Sequence, residues 1–445
     1  MDVTDLGDVL DAIPDFPGYL TVDEMAASTR RLAEAYPDVA RRWPIGRSRA
    51  GEAMEALVIG EGSRTAFLFG LPHPNEPVGA MTCEYLARRL CEDEALRREL
   101  DLTWVILKAA DPDGARLNQG WFAGPLTLER YARHFYRPPS HEQVEWTFPV
   151  THKRLAFADA LPETRALMRV IDERRPQLMA SLHNAGFGGA YWYLSRPDPA
   201  LYPALHAAAA RERLPLSLGE PEVPWASALA EGVYTMLGAD EAYDYLEANG
   251  QDPLAVLPAG TSSADYATRQ GYDTWTAVSE VPYFVDPRIA DTSPAGEGHR
   301  AVVVAGADGE ERLVDEIEAV LRAAGDIPDS PFARAIRGFA PQMRMGAAAE
   351  RAWATASIPA DEPATVAQAF DTRVVRPFYL LLQVGGLVRA IPPDNPARAA
   401  AEALFDRKLR EVAAGMPSWE AVPVRRLVAV QVATVLAMAR RLQAR

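Results

Sequence analysis

Short apolar runs alternate with amphipathic stretches through most of this chain. The apolar runs predict buried strands, and apolar residues spaced three and four apart predict the intervening helices. Such alternation is typical of a mixed, mostly parallel sheet with helices on both faces. We therefore expect an α/β domain over residues 1–328. The predicted strands are Ala53–Ile59, Ala66–Leu71, Leu102–Ala109, Gln177–His183 and Thr274–Glu280, and the main predicted helices are Thr21–Tyr36, Gly79–Cys91, Pro162–Arg174, Pro199–Arg213, part of Leu229–Ala248, and Leu313–Ala324.

The pattern changes near Pro331, beyond which only helical spacing remains. Proline-containing breaks separate the helical stretches, so residues 329–445 are predicted to form an all-helical extension. Whether it covers a cleft, packs on the sheet edge or mediates formation of a homo-oligomer stays open. The predicted helices are Ala347–Ala356, Ala364–Arg389, Pro396–Ala414 and Val422–Leu442.

Composition narrows the classes of partner. The formal net charge of −15 argues against a nucleic acid or an anionic membrane as partner. The start of the chain lacks a basic segment followed by a long apolar run, and the apolar stretch Pro377–Val388 is too short to span a bilayer. We therefore expect a cytoplasmic protein. Cys83 and Cys91 lie about two turns apart on one predicted helix, too far for a disulfide.

A histidine and a carboxylate follow the second predicted strand. His73 and Glu76 are three residues apart, and an imidazole nitrogen with a carboxylate fills two corners of a zinc site. His183 ends another predicted strand and supplies a third ligand. Three protein ligands with a fourth position left for water are the arrangement of a catalytic zinc site.

Glu280 ends a further apolar strand, which Pro282 terminates. A glutamate at the end of a buried strand is unusual unless it is paired or functional. Because parallel strands deliver their carboxyl ends to one crevice, we expect Glu280 to lie beside the metal.

Each of these candidate site residues also has a purely structural interpretation. A His-x-x-Glu pair is a weak signal alone, and His73 with Glu76 is also consistent with a surface turn. His183 is also consistent with a core histidine, and Glu280 with a structural ion pair. The glycine-rich turn 186–189 lacks the lysine of a phosphate-binding loop, and no Gly-x-Ser-x-Gly elbow occurs, so neither nucleotide binding nor serine-hydrolase chemistry is supported.

Taken in order along roughly residues 15–325, these motifs resemble the zinc carboxypeptidases of the carboxypeptidase A-like type. The resemblance implies the fold described above and one zinc ion per chain on His73, Glu76 and His183. It also implies that Glu280 is the general base in hydrolysis of a C-terminal peptide bond. The segments that carry it are Tyr19–Glu24, Tyr36-Pro37, Ile45–Ser48, His73–Glu76, Asp111–Gly114, His183, Gly260–Tyr266 and Glu280.

Arginines are the next candidates. Arg116 lies just past the Pro-Asp-Gly turn, so it is the candidate that stabilises the oxyanion, and Asn118 belongs to a similar Arg-x-Asn element of the family and is a substrate-binding candidate. The family's Asn-Arg pair for the substrate carboxylate is absent. Arg137 is the candidate to replace it, with Arg133 as a competing choice. Asp265 either receives a polar or cationic substrate group or satisfies turn amides.

Three functions are compatible with these residues. The leading one is a zinc metallocarboxypeptidase that uses a metal-activated water and acts on a peptide or small amide. The second is a zinc-dependent deacylase or amidase that cuts an N-acyl amino acid at the same site. The third, which requires Glu280 to point away from the metal, is an inactive metal-binding module whose helical extension binds a partner.

Overall fold

A mixed sheet forms the centre of the molecule. The computed structural model describes residues 6–223, 225–236, 238–257 and 260–444. The sheet strands in this part of the chain are β1 (Ala40–Arg47), β2 (Ala53–Ile59), β3 (Arg64–Gly70), β4 (Leu102–Leu107), β5 (Leu178–His183), β6 (Tyr191–Leu194), β7 (Ala228–Ala230), β8 (Val233–Thr235) and β9 (Trp275–Glu280). Their order is β1-β2-β4-β3-β5-β9-β6-β8-β7.

Parallel pairing is concentrated at the centre of this sheet. Strands β4, β3, β5 and β9 run parallel to one another, and β6 is parallel to β8. The other pairs, including both edges, are antiparallel. The mixed α/β class predicted from the sequence is confirmed, although the parallel share is smaller than the pattern suggested: β1, β6, β7 and β8 were not predicted as strands, and the predicted strands β2 and β4 pair antiparallel.

Helices cover both faces of the sheet. They are α1 (Gly7–Asp11), α2 (Val22–Ala35), α3 (Val78–Glu92), α4 (Glu94–Leu100), α5 (Pro112–Phe122), α6 (Leu128–His134), α7 (Pro162–Arg174), α8 (Tyr202–Arg211), α9 (Ala239–Ala248), α10 (Pro253–Val256), α11 (Ser263–Arg269), α12 (His299–Ala324), α13 (Pro331–Ser357), α14 (Val366–Phe370), α15 (Arg376–Ala390), α16 (Arg398–Gly415) and α17 (Val424–Gln443). The predicted capping box of Thr21 and Glu24 begins α2.

Shorter elements complete the chain. Single 3-10 turns occur at Ser140–Glu142, Val144–Trp146 and Pro287–Ala290, and one π-helical turn, Asp371–Val375, joins α14 to α15. Three small two-stranded ladders pair Val150–His152 with Leu155–Phe157, Phe284–Val285 with Glu420–Ala421, and Pro294–Gly298 with Pro363–Thr365.

Alternate side chains of the central strands enter different cores. Leu68 and Leu182 belong to the larger core, which includes residues of α3, α8 and α17. Phe67, Phe69 and Met179 point to the opposite face and pack with residues of α7 and α11. This alternation is the period-2 geometry of a strand buried on both faces, so the central strands read as continuous apolar runs.

Two glycines let α3 approach the sheet directly behind the predicted ligands. A Cβ atom on Gly70 would lie 2.3 Å from the backbone nitrogen of Ala80, and one on Gly79 would lie 2.4 Å from the carbonyl oxygen of Leu182. Neither distance is tolerable for a real Cβ. The glycines therefore fix how β3 leads into the turn that carries His73 and Glu76.

The C-terminal region is helical, as predicted, but its helices differ from the predicted ones. α12 and α13 begin well before Leu313 and Ala347, because packing of these two helices against each other overrides the glycines and the proline within them. The predicted single helix Ala364–Arg389 is a ladder strand, α14, the π-helical turn and α15.

The last helix packs against elements of the sheet region. α17 packs on α3, α8 and β5, and its residues Leu427, Val432 and Leu436 are fully buried in the larger core. The proposed division at residue 328 stays a prediction. Within the described residues no helix is long and apolar enough to cross a membrane, and Cys83 and Cys91 are both free and buried.

Candidate active site

The carboxyl ends of β3, β5 and β9 meet at one edge of the sheet. Glu280 at the end of β9 pairs directly with His183 at the end of β5, and Gly70 at the end of β3 pairs with Leu182. His73 follows β3 by three residues. The parallel pairing predicted from the three apolar runs is what brings these side chains together.

The three predicted metal ligands converge. Candidate ligand atoms of His73, Glu76 and His183 all lie within 4.8 Å of one another. Nδ1 of His183 is 3.0 Å from Oε2 of Glu76. Because zinc–nitrogen and zinc–oxygen bonds are about 2.0–2.2 Å long, small side-chain rotations place all three on one ion.

The chemistry of the donor atoms fits a metal. Nδ1 of His73 is buried and has no hydrogen-bond partner among the described residues. Burial, and then the charges of Arg137 and His183, hold the pKa of His73 well below its usual value, so the ring is neutral and has a free lone pair. Nε2 of His183 lies 2.8 Å from Oγ of Ser181, which leaves its Nδ1 directed at Glu76.

Two donors hold the Glu76 carboxylate in place. Nη1 of Arg137 donates to Oε1 at 2.9 Å, and the backbone N–H of Asn184 donates to Oε2 at 3.2 Å. Glu76 is only 3% exposed, so this carboxylate is fixed within a protein wall. Such outer partners orient a ligand and tune its affinity for a metal.

Glu280 lies beside the ligands, as predicted. Its Oε1 is 3.7 Å from Nδ1 of His183, and the side chain is 10% exposed. Burial raises the pKa of Glu280 well above its ordinary value, and the nearby carboxylates of Glu76 and Glu222 raise it further. A carboxyl group poised in this way is suited to accept and return a proton.

Arg137 lies next to the metal ligands rather than at a distant carboxylate site. Its Nε donates to Oε1 of Gln143 at 3.0 Å, while its Nη1 holds Glu76. Asn118 supports this segment from below: its amide donates to the carbonyl of Tyr136 and accepts from the N–H of Tyr136. Asn118 is fully buried, so it positions the Arg137 segment and does not face substrate.

The structure does not bring Arg116 to the site. Its guanidinium forms ion pairs with Asp23 and Glu52, at 2.7 and 2.8 Å, and it does not line the cavity. The oxyanion role assigned to Arg116 from the sequence is therefore incompatible with this position. It lies on helix α5, which turns its side chain toward α2 and the turn before β2.

Arg133 is also remote from the ligands. It pairs with Glu402 and Asp406 of α16 and lies over the ring of Phe405 at 4.2 Å. This side chain fastens the helical region to α6, and only the alternative choice, Arg137, reaches the site.

Asp265 serves the turn at the start of α11. Thr261 Oγ1 donates to its Oδ2 at 2.5 Å, Arg269 Nε donates at 2.8 Å, and the N–H of Ala239 lies at 3.4 Å. Asp265 does not line the cavity, whereas the preceding Ser262 does. Of the two roles left open by the sequence, the structural one matches these contacts.

The ligands open into a cavity of about 930 Å³. One wall, which we call the strand wall, is formed by the metal ligands, Arg137 and Glu280. The opposite wall, the helical wall, is formed by residues of α12, α13, the π-helical turn and α15, among them Glu310, Glu350, Asp371, Arg376 and Tyr379. The helical region thus covers the cleft, which was one of the alternatives left open.

Glu145 was missed as a site residue, and Trp146 lines the cavity next to it. Glu145 is buried in the cavity wall, where Ser263 donates to its Oε1 from both N and Oγ, and burial raises the pKa of Glu145. The ring of Trp146 stacks on His73 with centroids 6.0 Å apart. A glutamate within the apolar run 144–148 was the available signal in the sequence.

Gln431 of α17 supports the ligand strands from behind. Its buried amide donates to the carbonyls of His183 and Ser279, at 2.8 and 3.3 Å, and accepts from Oγ1 of Thr82. A glutamine in an otherwise apolar helix was the available signal, but nothing in the sequence indicates its partners.

A mixed sheet whose central strand ends carry a buried His–Glu–His group and an adjacent carboxylate is the arrangement typical of a metal-dependent hydrolase. The model of the family described as "Zinc carboxypeptidase" matches residues 25–292, more than half of the chain. The chain belongs to this zinc carboxypeptidase family.

Solved structures of carboxypeptidases resemble the chain at low identity. Bovine thrombin-activatable fibrinolysis inhibitor, in complex with tick carboxypeptidase inhibitor, is 13% identical over 59% of this chain and 86% of its own, with a TM-score of 0.40. Carboxypeptidase A from Helicoverpa armigera is 15% identical over 80% and 82%, with a TM-score of 0.38. A metallo-carboxypeptidase from Burkholderia cenocepacia is 16% identical over 58% and 59%, with a TM-score of 0.36. No curated protein matches the chain by sequence.

Proposed function

We propose that this protein is a zinc-dependent hydrolase that cleaves a peptide or amide bond, of the metallocarboxypeptidase type. The observation that carries the proposal is the pairing of Glu280 with His183 on adjacent strands. This pairing holds a buried carboxylate 3.7 Å from a candidate metal ligand. A carboxylate beside the candidate metal ligands is placed to serve as general base.

The chemistry divides between the ion and the side chains. Zinc on His73, Glu76 and His183 would lower the pKa of a water molecule toward neutrality and polarise the substrate carbonyl. Glu280 takes the proton from the attacking water and later delivers it to the leaving amine nitrogen. Burial of Glu280 favours holding that proton between the two transfers.

Arg137 takes the role of stabilising the carbonyl oxygen as negative charge develops on it. Its guanidinium lines the cavity, and its contacts with Glu76 and Gln143 hold it in place before substrate arrives. A preorganised cation in a site that excludes water costs no reorganisation during the reaction. This supports Arg137 in the role first considered for Arg116.

The test is a comparison of Glu280→Gln with the native chain, each loaded with zinc. We expect turnover of peptide and acyl-amino-acid substrates to fall by roughly 10²–10⁴, because the general base is lost, while bound zinc stays at one per chain. Glu55→Gln is the matched control, since this carboxylate lies in the same sheet but pairs with Arg42 outside the cavity. Full activity of Glu280→Gln, or of zinc-free native protein, contradicts the proposal.

A second candidate is a zinc-dependent amidase whose substrate carries a positive charge instead of a free carboxylate. Both arginines among the described lining residues are engaged by protein carboxylates, Arg137 by Glu76 and Arg376 by Glu350. Carboxylates outnumber guanidinium groups in the lining, so a substrate carboxylate finds no free cation there apart from the metal. The lining carboxylates are Glu76, Glu145, Glu220, Glu222, Glu280, Glu310, Glu350 and Asp371.

A further inference from the structure

The hydroxyl of Tyr379, a residue of the helical wall, contacts the loop that follows His183. The backbone N–H of Gly186, three residues after His183, donates to the Tyr379 hydroxyl at 2.8 Å. Tyr379 lines the cavity and is 39% exposed. It is one of two large hydrophobic residues that are exposed among the described residues. The side chain is therefore anchored through its hydroxyl and open to the cavity.

Packing of the neighbouring Phe378 ring fixes the position of Tyr379. Phe378 is fully buried and packs against Tyr131, Phe187 and Phe284, with ring centroids 5.8–6.1 Å apart. The first turn of α15 is thus held in the core on one side, which leaves the Tyr379 side chain on the cavity side. Preorganisation of this kind lowers the entropic cost of a contact with a ligand.

The Tyr379 hydroxyl still has a proton to give. The Gly186 N–H occupies an acceptor position of this oxygen, and no acceptor among the described residues takes the hydroxyl proton. Desolvation by the surrounding cavity walls, and to a smaller degree the carboxylates of Glu280 and Glu222, raise the pKa of Tyr379, so the hydroxyl stays protonated. By contrast, the hydroxyls of Tyr191 and Tyr193 in the same cavity both donate to Glu222.

We propose that Tyr379 donates a hydrogen bond to an oxygen atom of the bound substrate, so that the C-terminal helices complete the active site rather than merely cover it. The inference rests on the proposed hydrolase function and adds a substrate-binding residue to it. An uncommitted O–H group beside Glu280 lacks a partner until a ligand with an acceptor oxygen enters. A peptide or amide substrate supplies such an oxygen.

The direct test is Tyr379→Phe, which removes the hydroxyl and keeps the ring. With a substrate that the zinc-loaded native chain hydrolyses, we expect kcat/KM to fall about ten- to hundredfold. Zinc content and thermal stability should stay at native values. Tyr202→Phe is the matched control, because Tyr202 lies on α8, does not line the cavity and should leave kcat/KM within twofold.

Gly186→Ala gives a second variant that keeps the hydroxyl but displaces it. A Cβ atom at position 186 would lie 2.7 Å from Cε1 of Phe378 and 3.1 Å from Cε1 of Tyr379. The first turn of α15 must then move, and we expect kcat/KM to fall in this variant too.

The outcomes separate cleanly. A native level of kcat/KM in Tyr379→Phe overturns the inference, and so does a loss that comes with a matching loss of zinc or of thermal stability, since the hydroxyl would then act only on the Gly186 loop. If the native zinc-loaded chain hydrolyses no amide, the proposed function fails before Tyr379 is tested.

Discussion

The strand wall and the helical wall of the cavity differ in what holds their side chains in place. His183 and Glu280 are adjacent because β5 and β9 pair in register, so backbone hydrogen bonds alone bring them together. Asp371 and Tyr379 face the cavity because of how α12, α13 and α15 pack on one another and because of a π-helical turn. Chemistry placed by a sheet tolerates little variation, whereas helix packing can be adjusted one side chain at a time.

A π-helical turn contributes to the shape of the helical wall. It spans Asp371–Val375 and ends just before Arg376, so it alters the direction in which two charged residues of the cavity point. Turns of this kind occur mostly as single interruptions of an α-helix and frequently at functional sites. The helical wall is therefore shaped for the cavity, which agrees with a role in selecting substrate.

In this comparison, the largest effect is expected for a substitution in the strand wall. Arg137→Gln should lower kcat by about 10²–10³, because it removes the cation proposed to stabilise the developing oxyanion. Arg116→Gln is the control with the same chemical change: Arg116 is one-third exposed and pairs with Asp23 and Glu52 away from the cavity, so its kcat should be native. Steady-state kinetics with zinc content measured in parallel decide between them.

The opposite ranking, with Arg116→Gln inactive and Arg137→Gln active, would return the oxyanion role to Arg116. Arg137→Lys refines the result. Lysine keeps the charge but cannot hold Glu76 and Gln143 at once through a planar fork, so partial activity is expected.

These two arginines show which part of the site could not be predicted from the sequence. The ligands His73, Glu76 and His183 were predictable because parallel strands bring their ends to one edge whatever the loops do. Arg116 and Arg137 both lie on the segment after β4, and the direction of each side chain depends on how α5 and α6 pack. Nothing in the local pattern carries that information, so the sequence assigned the oxyanion role to Arg116, whereas of the two arginines only Arg137 lines the cavity.

The helical wall was predictable only as helices. Apolar spacing indicated helical structure beyond Pro331, yet α13 contains Pro341 and two glycines, which made its first half look like a break. Tertiary packing decides such cases, because helix propensity is a weak prior. Tyr379 and Gln431 gained their roles from contacts with residues about two hundred or more positions away, which a single sequence does not record.

A prediction of intermediate size concerns how the charge of the substrate affects its binding to the helical wall. Burial raises the pKa of both Glu310 and Asp371 to about 7, and both lie in the helical wall. As pH rises through 7 these groups ionise, so the cavity becomes more negative and should bind a cationic substrate more tightly. We expect KM for an amide with a lysine side chain and a blocked carboxylate to fall several-fold between pH 6 and 8.

The paired substrate is the same compound with a free carboxylate in place of the blocked one. Its KM should not fall over this pH range if the amidase candidate is correct. Asp371→Asn removes one of the two titrating groups and should reduce the pH dependence for the cationic substrate. If the free acid is instead preferred at every pH, the carboxypeptidase assignment stands and the amidase candidate is discarded.

The smallest expected effect concerns what joins the two walls. His299, at the start of α12, lies between Glu220, which lines the cavity, and Glu362, with the Gln368 amide and the edge of Trp353 nearby. The hydrogen bond to Glu220, and then that to Glu362, raise the pKa of His299. The protonated ring is therefore more favourable in the folded chain than in the unfolded one.

For a group with a raised pKa the stabilisation is fully present below the unfolded value, near 6.5, and is lost as pH rises through the higher folded value. The free energy of unfolding of the native chain should thus exceed that of His299→Gln by more at pH 6 than at pH 9, as measured by urea titration. His206→Gln is the control, since that ring hydrogen-bonds to the backbone carbonyl of Glu231 and pairs with no carboxylate among the described residues. A difference that does not change with pH would mean that the His299 ring acts as a neutral spacer between Glu220 and Glu362.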